Sequence, residues 1–231
     1  MRVVALYVHP VKACRAMALE EVELESLGPA HDRRFVFVGD DGLALTQREH
    51  PLLATIHPKL AADGMQLDLG GLTQLSIASQ EFVEPLEVDV WGKRIAGLAA
   101  PAETVAAYLG TPLRLVALDA AATRSFADSR PVLVASTLML AGLGVGMERF
   151  RPNVVVDGAE TWSALEGNAV RLERDKPCGR CEVTTIDQKS GERRGPEPLR
   201  TLNERFAGNF GIYCRVARAG RLRRGETLQA F

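Results

Sequence analysis

Cysteine is scarce in this chain: four in 231 residues, at positions 14, 178, 181 and 214. That is too few for the disulfide scaffold of a small secreted protein, which leaves reactive, metal-binding or buried thiols. A signal peptide is missing too. Met1 to Val8 is too short for a charged start and an apolar core, and His9-Pro10 with Lys12 follows where that core would continue. No other run approaches the roughly 18 apolar residues of a membrane span. These absences predict a cytoplasmic location and no membrane partner. Internal repeats, low-complexity tracts and a clear linker are absent as well, and the weakest seam lies near Ala117 to Ser129.

Several familiar chemical patterns also fail. Gly142-Leu143-Gly144-Val145-Gly146 lacks dinucleotide-loop spacing and lies within, or ends, a helical stretch. His9, His31, His50 and His57 are scattered, and none pairs at metal-ligand spacing. Ser136, Ser163 and Ser190 have no nucleophile-elbow context, so a serine hydrolase has no support. Phe206, Phe210, Tyr213 and Phe231 are too irregularly spaced for a reader of single-stranded nucleic acid.

What remains is an ordinary globular composition, with 46% hydrophobic and 25% charged residues. One large domain or two small ones fit this length. The net charge of -1 conceals an asymmetry: residues 171 to 231 carry 14 Lys/Arg against 8 Asp/Glu, and the first 170 carry 14 against 21. A basic C-terminal quarter points to an anionic ligand, or to nothing more than a solvated surface.

Strand signals dominate. Val3 to Val8 opens the chain, and Arg34 to Val38 with Leu43 to Thr46 reads as a hairpin. A second hairpin is expected around Ala62-Asp63-Gly64, and Glu87 to Gly92 alternates as a half-buried strand does. Later strands are expected at Asn153 to Val156, Val183 to Ile186, Phe210 to Val216 and Glu226 to Gln229. Helices are expected at Pro101 to Leu109, stopped by Gly110, at Ser136 to Phe150 and at Glu197 to Phe206. The architecture predicted is α+β, β-dominated, a barrel with covering helices.

The run Lys176-Pro177-Cys178-Gly179-Arg180-Cys181 is the densest chemical signal. Cations beside a Cys-x-x-Cys pair favour thiolate, the form that attacks disulfides or binds soft metals. Three chemistries stay open on the residues alone. A redox pair normally opens a helix, whereas Cys181 runs into Glu182 to Ile186, read as a strand. Structural zinc needs Cys14 and Cys214 as further ligands. Inert buried thiols are the third.

Further blocks bear on the choice. Tyr7 to Arg15, Asp32-Arg33-Arg34-Phe35, Leu45-Thr46-Gln47-Arg48 with Pro51, Phe150-Arg151-Pro152-Asn153, Cys178 to Asp187, Glu197 to Leu202 and Phe210 to Tyr213 occur in order along nearly the whole chain. Together they resemble MOSC-domain proteins, including the mitochondrial amidoxime-reducing component and its bacterial relatives, with a looser tie to a pyridoxal phosphate-binding family. The resemblance implies a MOSC-type β-barrel over residues 119–231, preceded by a smaller N-terminal β-rich region over 1–118 whose first strands join the barrel.

It also implies a molybdenum-pterin cofactor, with Cys181 as the catalytic metal ligand and Cys178 a packed neighbour. Lys12, Arg33, Arg151 and Arg180 are implied as partners of the cofactor's phosphate, where arginine gives paired hydrogen bonds and lysine a point charge. Asp128-Ser129, Gly179 through its backbone, and Tyr213 complete the implied set. Ala13 stands where the amidoxime-reducing branch usually has serine, and Arg130 where a small polar residue is more usual. The activity implied is reduction of small N-hydroxylated compounds, with electrons from a separate donor protein because no ferredoxin domain follows in the sequence. The competing reading is a non-enzymatic carrier of the cofactor, or of sulfur held as persulfide on Cys181.

Overall fold

The computed structural model describes all residues from Met1 to Phe231. It is β-dominated α+β: short strands, three α-helices at Glu103–Leu109, Thr137–Leu140 and Leu199–Phe206, and three 3-10 turns. No helix is long and apolar enough to cross a membrane.

The largest sheet has eight strands. It runs in the order Gln229–Ala230, Ala164–Glu166, Arg171–Gly179, Asn209–Arg218, Val132–Ser136, Val154–Val156, Val3–Val8, Met17–Leu19. Its ladder stops at the first and last of these, which do not pair with each other. Only Val132–Ser136 and Val154–Val156 run parallel. The opening strand therefore belongs with the C-terminal half: Leu6 pairs with Val154 on one side and Leu19 on the other. Val3, Leu6 and Val8 are buried in a core with Val132, Val134, Ile212 and Leu222, and burying each contributes roughly 1.5–3 kcal/mol.

A four-stranded sheet, ordered Phe35–Val38, Arg114–Leu118, Lys93–Pro101, Glu84–Val90, carries a core on each face of its first two strands, while the last two leave one face exposed. Phe37 and Leu115 point into one core, and Val36, Val38 and Val116 into another, as a period of two requires. The first of those cores is closed by the hairpin Ile56–Ala61 and Gly64–Leu69 and by the helix Glu103–Leu109, which Gly110 ends in a left-handed conformation. Gly97 sits in the centre of this sheet, where an added Cβ would lie 2.4 Å from Val116 Cγ1 and 2.6 Å from the Ala117 carbonyl. Gly97→Ala should cost about 1–3 kcal/mol through overpacking against a strand that cannot retreat, read as a lower midpoint in urea. An unchanged midpoint would disprove the close fit.

Three expected elements differ. Ser136 to Phe150 is not one helix: Ser136 caps the single turn Thr137–Leu140, the chain breaks at Gly142 and Gly144 with φ of 84° and 66°, and Met147–Phe150 forms a 3-10 turn. Residues 182 to 186 do not make a strand either. The hydroxyls of Thr184 and Thr185 bond the carbonyls of Cys181 and Glu182 at 2.9 and 2.7 Å, and this local competition with a ladder produces the 3-10 turn Glu182–Thr185. Leu43 to Thr46 makes only one bridge to Phe35–Val38, Val38 to Ala44, because the Ala44 N–H turns to the Asp89 carbonyl at 3.1 Å and Leu43 bridges Asp89.

One half-buried carboxyl gives the stability a pH dependence. Glu160 accepts a hydrogen bond from the Ser136 N–H at 3.1 Å. Burial pushes its pKa up from 4.5 to about 7, against the opposing pull of that N–H and of Arg174. The folded state thus holds a proton that the unfolded chain has released. Its contribution is complete below about pH 4.5 and is lost as pH rises through 7. Glu160→Gln should flatten the fall in Tm between pH 5 and 8 and exceed the wild type at pH 8. Identical slopes would count against the burial of this group.

Candidate functional site

Eight segments of the chain converge on one open-mouthed cavity. Lys12, Arg33, Arg151, Gly179, Arg180, Cys181 and Tyr213 all line it. Ser129 does not: it faces a neighbouring cleft, while Asp128 beside it lines the cavity. Arg48, Trp91 and Gln47 also line it and carry no individual signal in the sequence beyond their block or hairpin.

The wall is held by buried polar bonds. Asp32, wholly buried, accepts from the His9 N–H at 2.7 Å and from Arg33 Nη1 at 2.5 Å. The Arg33 N–H donates in turn to the His9 carbonyl at 2.8 Å, so the loop after the first strand is tied to the turn before Phe35–Val38. Burial, then Arg33 and Arg151, lowers the His9 pKa well below its ordinary value and keeps the imidazole neutral. The side-chain amides of Gln47 and Gln188, both buried, donate to each other at 3.1 and 3.0 Å, and Gln47 donates to the Ala13 carbonyl at 2.5 Å. That pair joins the two halves of the chain across the site.

Backbone strain gathers at the same place. Ala13, Arg33, Trp91 and Arg151 have φ of 66°, 48°, 56° and 54°, and they are four of the six non-glycine residues with positive φ in the chain. Each such residue costs on the order of 1 kcal/mol or more, and such conformations cluster at ligand sites.

Charge is unbalanced. Lys12, Arg33, Arg48, Arg130, Arg151 and Arg180 line the cavity against one carboxylate, Asp128. Lys12 is ion-paired with Asp128, which also accepts from Trp91 Nε1 at 2.9 Å. Burial pushes the Asp128 carboxyl up, but Lys12 and the Trp91 N–H outweigh it and hold it well below the usual range. Burial lowers Lys12 and, together with Arg33, brings Arg151 to about 10, which leaves that guanidinium charged at neutral pH. Arg151 Nη1 donates to the Cys14 carbonyl at 2.7 Å. Arg33 is paired with Asp32 and Arg130 with Asp175, which leaves Arg48, Arg151 and Arg180 without a carboxylate partner around one hollow, an arrangement that favours an anionic ligand.

The two thiols of the Cys-x-x-Cys run are unequal. Cys178 is buried and accepts from Arg180 Nη1 at 2.9 Å. The Tyr213 phenol is pushed up by burial first and then by Cys178, and so stays protonated. Arg180 further donates to the Phe150 carbonyl at 2.9 Å, while its buried Nε has no partner. Cys181 is half-buried on the cavity wall. Arg48 lines the same wall, where Cys181 raises the arginine's pKa, and Arg48 stacks over Trp91 at 4.7 Å.

No group of three or more His, Cys, Asp or Glu side chains is placed to hold a metal. Cys14 and Cys214 lie in separate cores, each pushed up to about 12 by burial, so a four-cysteine zinc site is not assembled. The donor set is one accessible thiol plus anion-binding cations. It suits a metal that brings most of its ligands with it on an anionic carrier.

Comparison with known proteins agrees with this layout. Residues 1–114 match the MOSC N-terminal beta barrel domain and residues 121–229 the MOSC domain. Mitochondrial amidoxime-reducing component 1 of Xenopus laevis is 26% identical over 96% of this chain and 79% of its own length. The human protein of the same name is 27% identical over 87% of this chain and 70% of its own. A molybdenum cofactor sulfurase of Drosophila willistoni is 28% identical over 92% of this chain but only 30% of its own length. With both family models matched in order along almost the whole sequence, the chain belongs to the MOSC-domain family.

Proposed function

We propose that this protein is a molybdenum-cofactor-dependent oxidoreductase that reduces small N-hydroxylated compounds. The observation that carries the reading is Cys181, a half-buried thiol on the wall of a cavity with six cations and one carboxylate. The similarity to amidoxime-reducing components over 96% of the chain supports it.

In this reading Cys181 holds the metal, and Lys12, Arg33, Arg151 and Arg180 receive the cofactor's phosphate; the free Nε–H of Arg180 and the uncompensated charge fit that role. Gly179 contributes its backbone and Tyr213 a protonated phenol. When bound, the molybdenum-pterin group supplies two-electron reduction of an N–OH bond with loss of the oxygen as water. The chain's own residues bind and orient: the 1–118 region supplies Lys12 and Arg33, and the 119–231 region supplies Arg151, Arg180 and Cys181. Electrons come from a separate donor protein.

A second reading, a non-enzymatic carrier of the cofactor or of a persulfide on Cys181, draws on the similarity to a molybdenum cofactor sulfurase. Turnover separates them. Protein expressed with ample cofactor and given benzamidoxime with a chemical reductant should form many equivalents of benzamidine. One equivalent or none, with cofactor bound, would favour the carrier.

A further inference from the structure

Beside the main cavity, and sharing Ala127 and Arg130 with it, lies a second cleft between the Ser26-Leu27 turn, the 124–131 loop and the strand residues Arg215 and Val216. Its lining holds three guanidiniums, Arg124, Arg130 and Arg215, and three hydroxyls, Ser26, Ser125 and Ser129, with no carboxylate. Arg130 is ion-paired with Asp175. Arg124 and Arg215 have no carboxylate partner within ion-pair distance in a chain where most arginines do. Arg124 donates to the Ala127 carbonyl at 3.1 Å, yet its buried Nε has no acceptor.

The cations here crowd one another. Burial, then Arg130, lowers the Arg124 pKa, and burial followed by Arg124, Lys176 and Arg130 lowers that of Lys93. Like charges so placed favour an anion that bridges them. Guanidiniums flanked by hydroxyls match the oxygens of a phosphate group, which accept paired N–H donors and single O–H donors together.

We propose that this cleft is a second oxyanion subsite, holding a phosphate group on a ligand that reaches past Arg130 from the cysteine-lined cavity. It explains why Ser129 turns away from that cavity and why an arginine stands at position 130, where one side chain serves both hollows. The inference deepens the functional reading and rests on it only for where the ligand's other end lies. Two sources carry such a group: a cofactor extended by a nucleotide, or a separate phosphorylated molecule.

Calorimetric titration of the full chain with inorganic phosphate should show an event that the Arg124→Ala/Arg215→Ala double variant loses, with affinity for inorganic pyrophosphate falling at least tenfold. Arg215→Ala alone, at an exposed position, should weaken binding severalfold and keeps the test usable if the double variant does not fold. Phosphate and pyrophosphate binding equal to wild type in folded variants would overturn the subsite. Acid extraction and chromatography then name the source. A nucleotide released in step with the pterin assigns the group to the cofactor; phosphate binding without released nucleotide assigns it to a separate molecule, and either result upholds the cleft. Cys181→Ala leaves the phosphate event lost in the double variant intact, so failure of the metal reading and failure of this one are distinguishable.

Discussion

Cys181→Ala should leave the purified protein with no retained molybdenum, and turnover should fall by more than ~100-fold, whereas Cys178→Ala should keep most of the metal. The contrast follows from the surroundings of the two thiols. In the proposed reading Cys181 is the one protein ligand, and no group of three or more His, Cys, Asp or Glu side chains stands ready to hold the metal in its place. Cys178 is buried and acts as an acceptor that orients Arg180. Loss of such an outer partner typically costs about 10–100-fold in affinity or activity, and the lower end is expected because Arg180 keeps its bond to Phe150. Metal content per chain by mass spectrometry is the readout. Equal loss from both variants would sink the division of roles.

Asp32→Ala should unfold the site before it touches the chemistry. The carboxylate is wholly buried and compensates Arg33, whose side chain is itself mostly buried. Breaking such a pair leaves an uncompensated charge and costs about 3–5 kcal/mol, a large share of a typical stability of about 5–15 kcal/mol. The His9 N–H also loses its acceptor. Asp32→Asn should do less damage, because one amide oxygen can still accept from His9. Urea denaturation of the cofactor-free protein decides the matter: an alanine variant with the wild-type midpoint would show that the Asp32 cluster carries no structural weight.

The sequence made the strands legible where alternation or a turn marked them, as at Gly64–Leu69 and Glu84–Val90. It hid Lys93–Pro101, where glycine and alanine dilute the pattern on a strand flanked on both edges. The site was legible because its residues fall inside short, ordered blocks; Arg151 and Arg33, far apart in the chain, meet through the Arg151 carbonyl at 3.4 Å. What no block revealed is that Arg48 shares the cavity wall with the proposed ligand thiol and stacks on Trp91. Their contact depends on a hairpin turn meeting a loop, and neither local periodicity nor spacing encodes it. Ser129 was displaced for a similar reason: adjacent residues on a loop face opposite ways, and only the backbone path decides which.

The pairing of Val3–Val8 with Val154–Val156 has a consequence for synthesis. The first strand can pair at once with Met17–Leu19, but its other edge waits for Val154–Val156, and the Val3 N–H finds its acceptor only at the Glu226 carbonyl. Closing contacts across so many residues is slow compared with local hairpins, so the opening strand stays paired on one edge only until the second half of the chain is made. Completion of the large sheet therefore depends on the last tenth of the chain, and an interruption there leaves Val132–Ser136 and Arg171–Gly179 without the strand that joins them, exposing edges in the middle of the sheet.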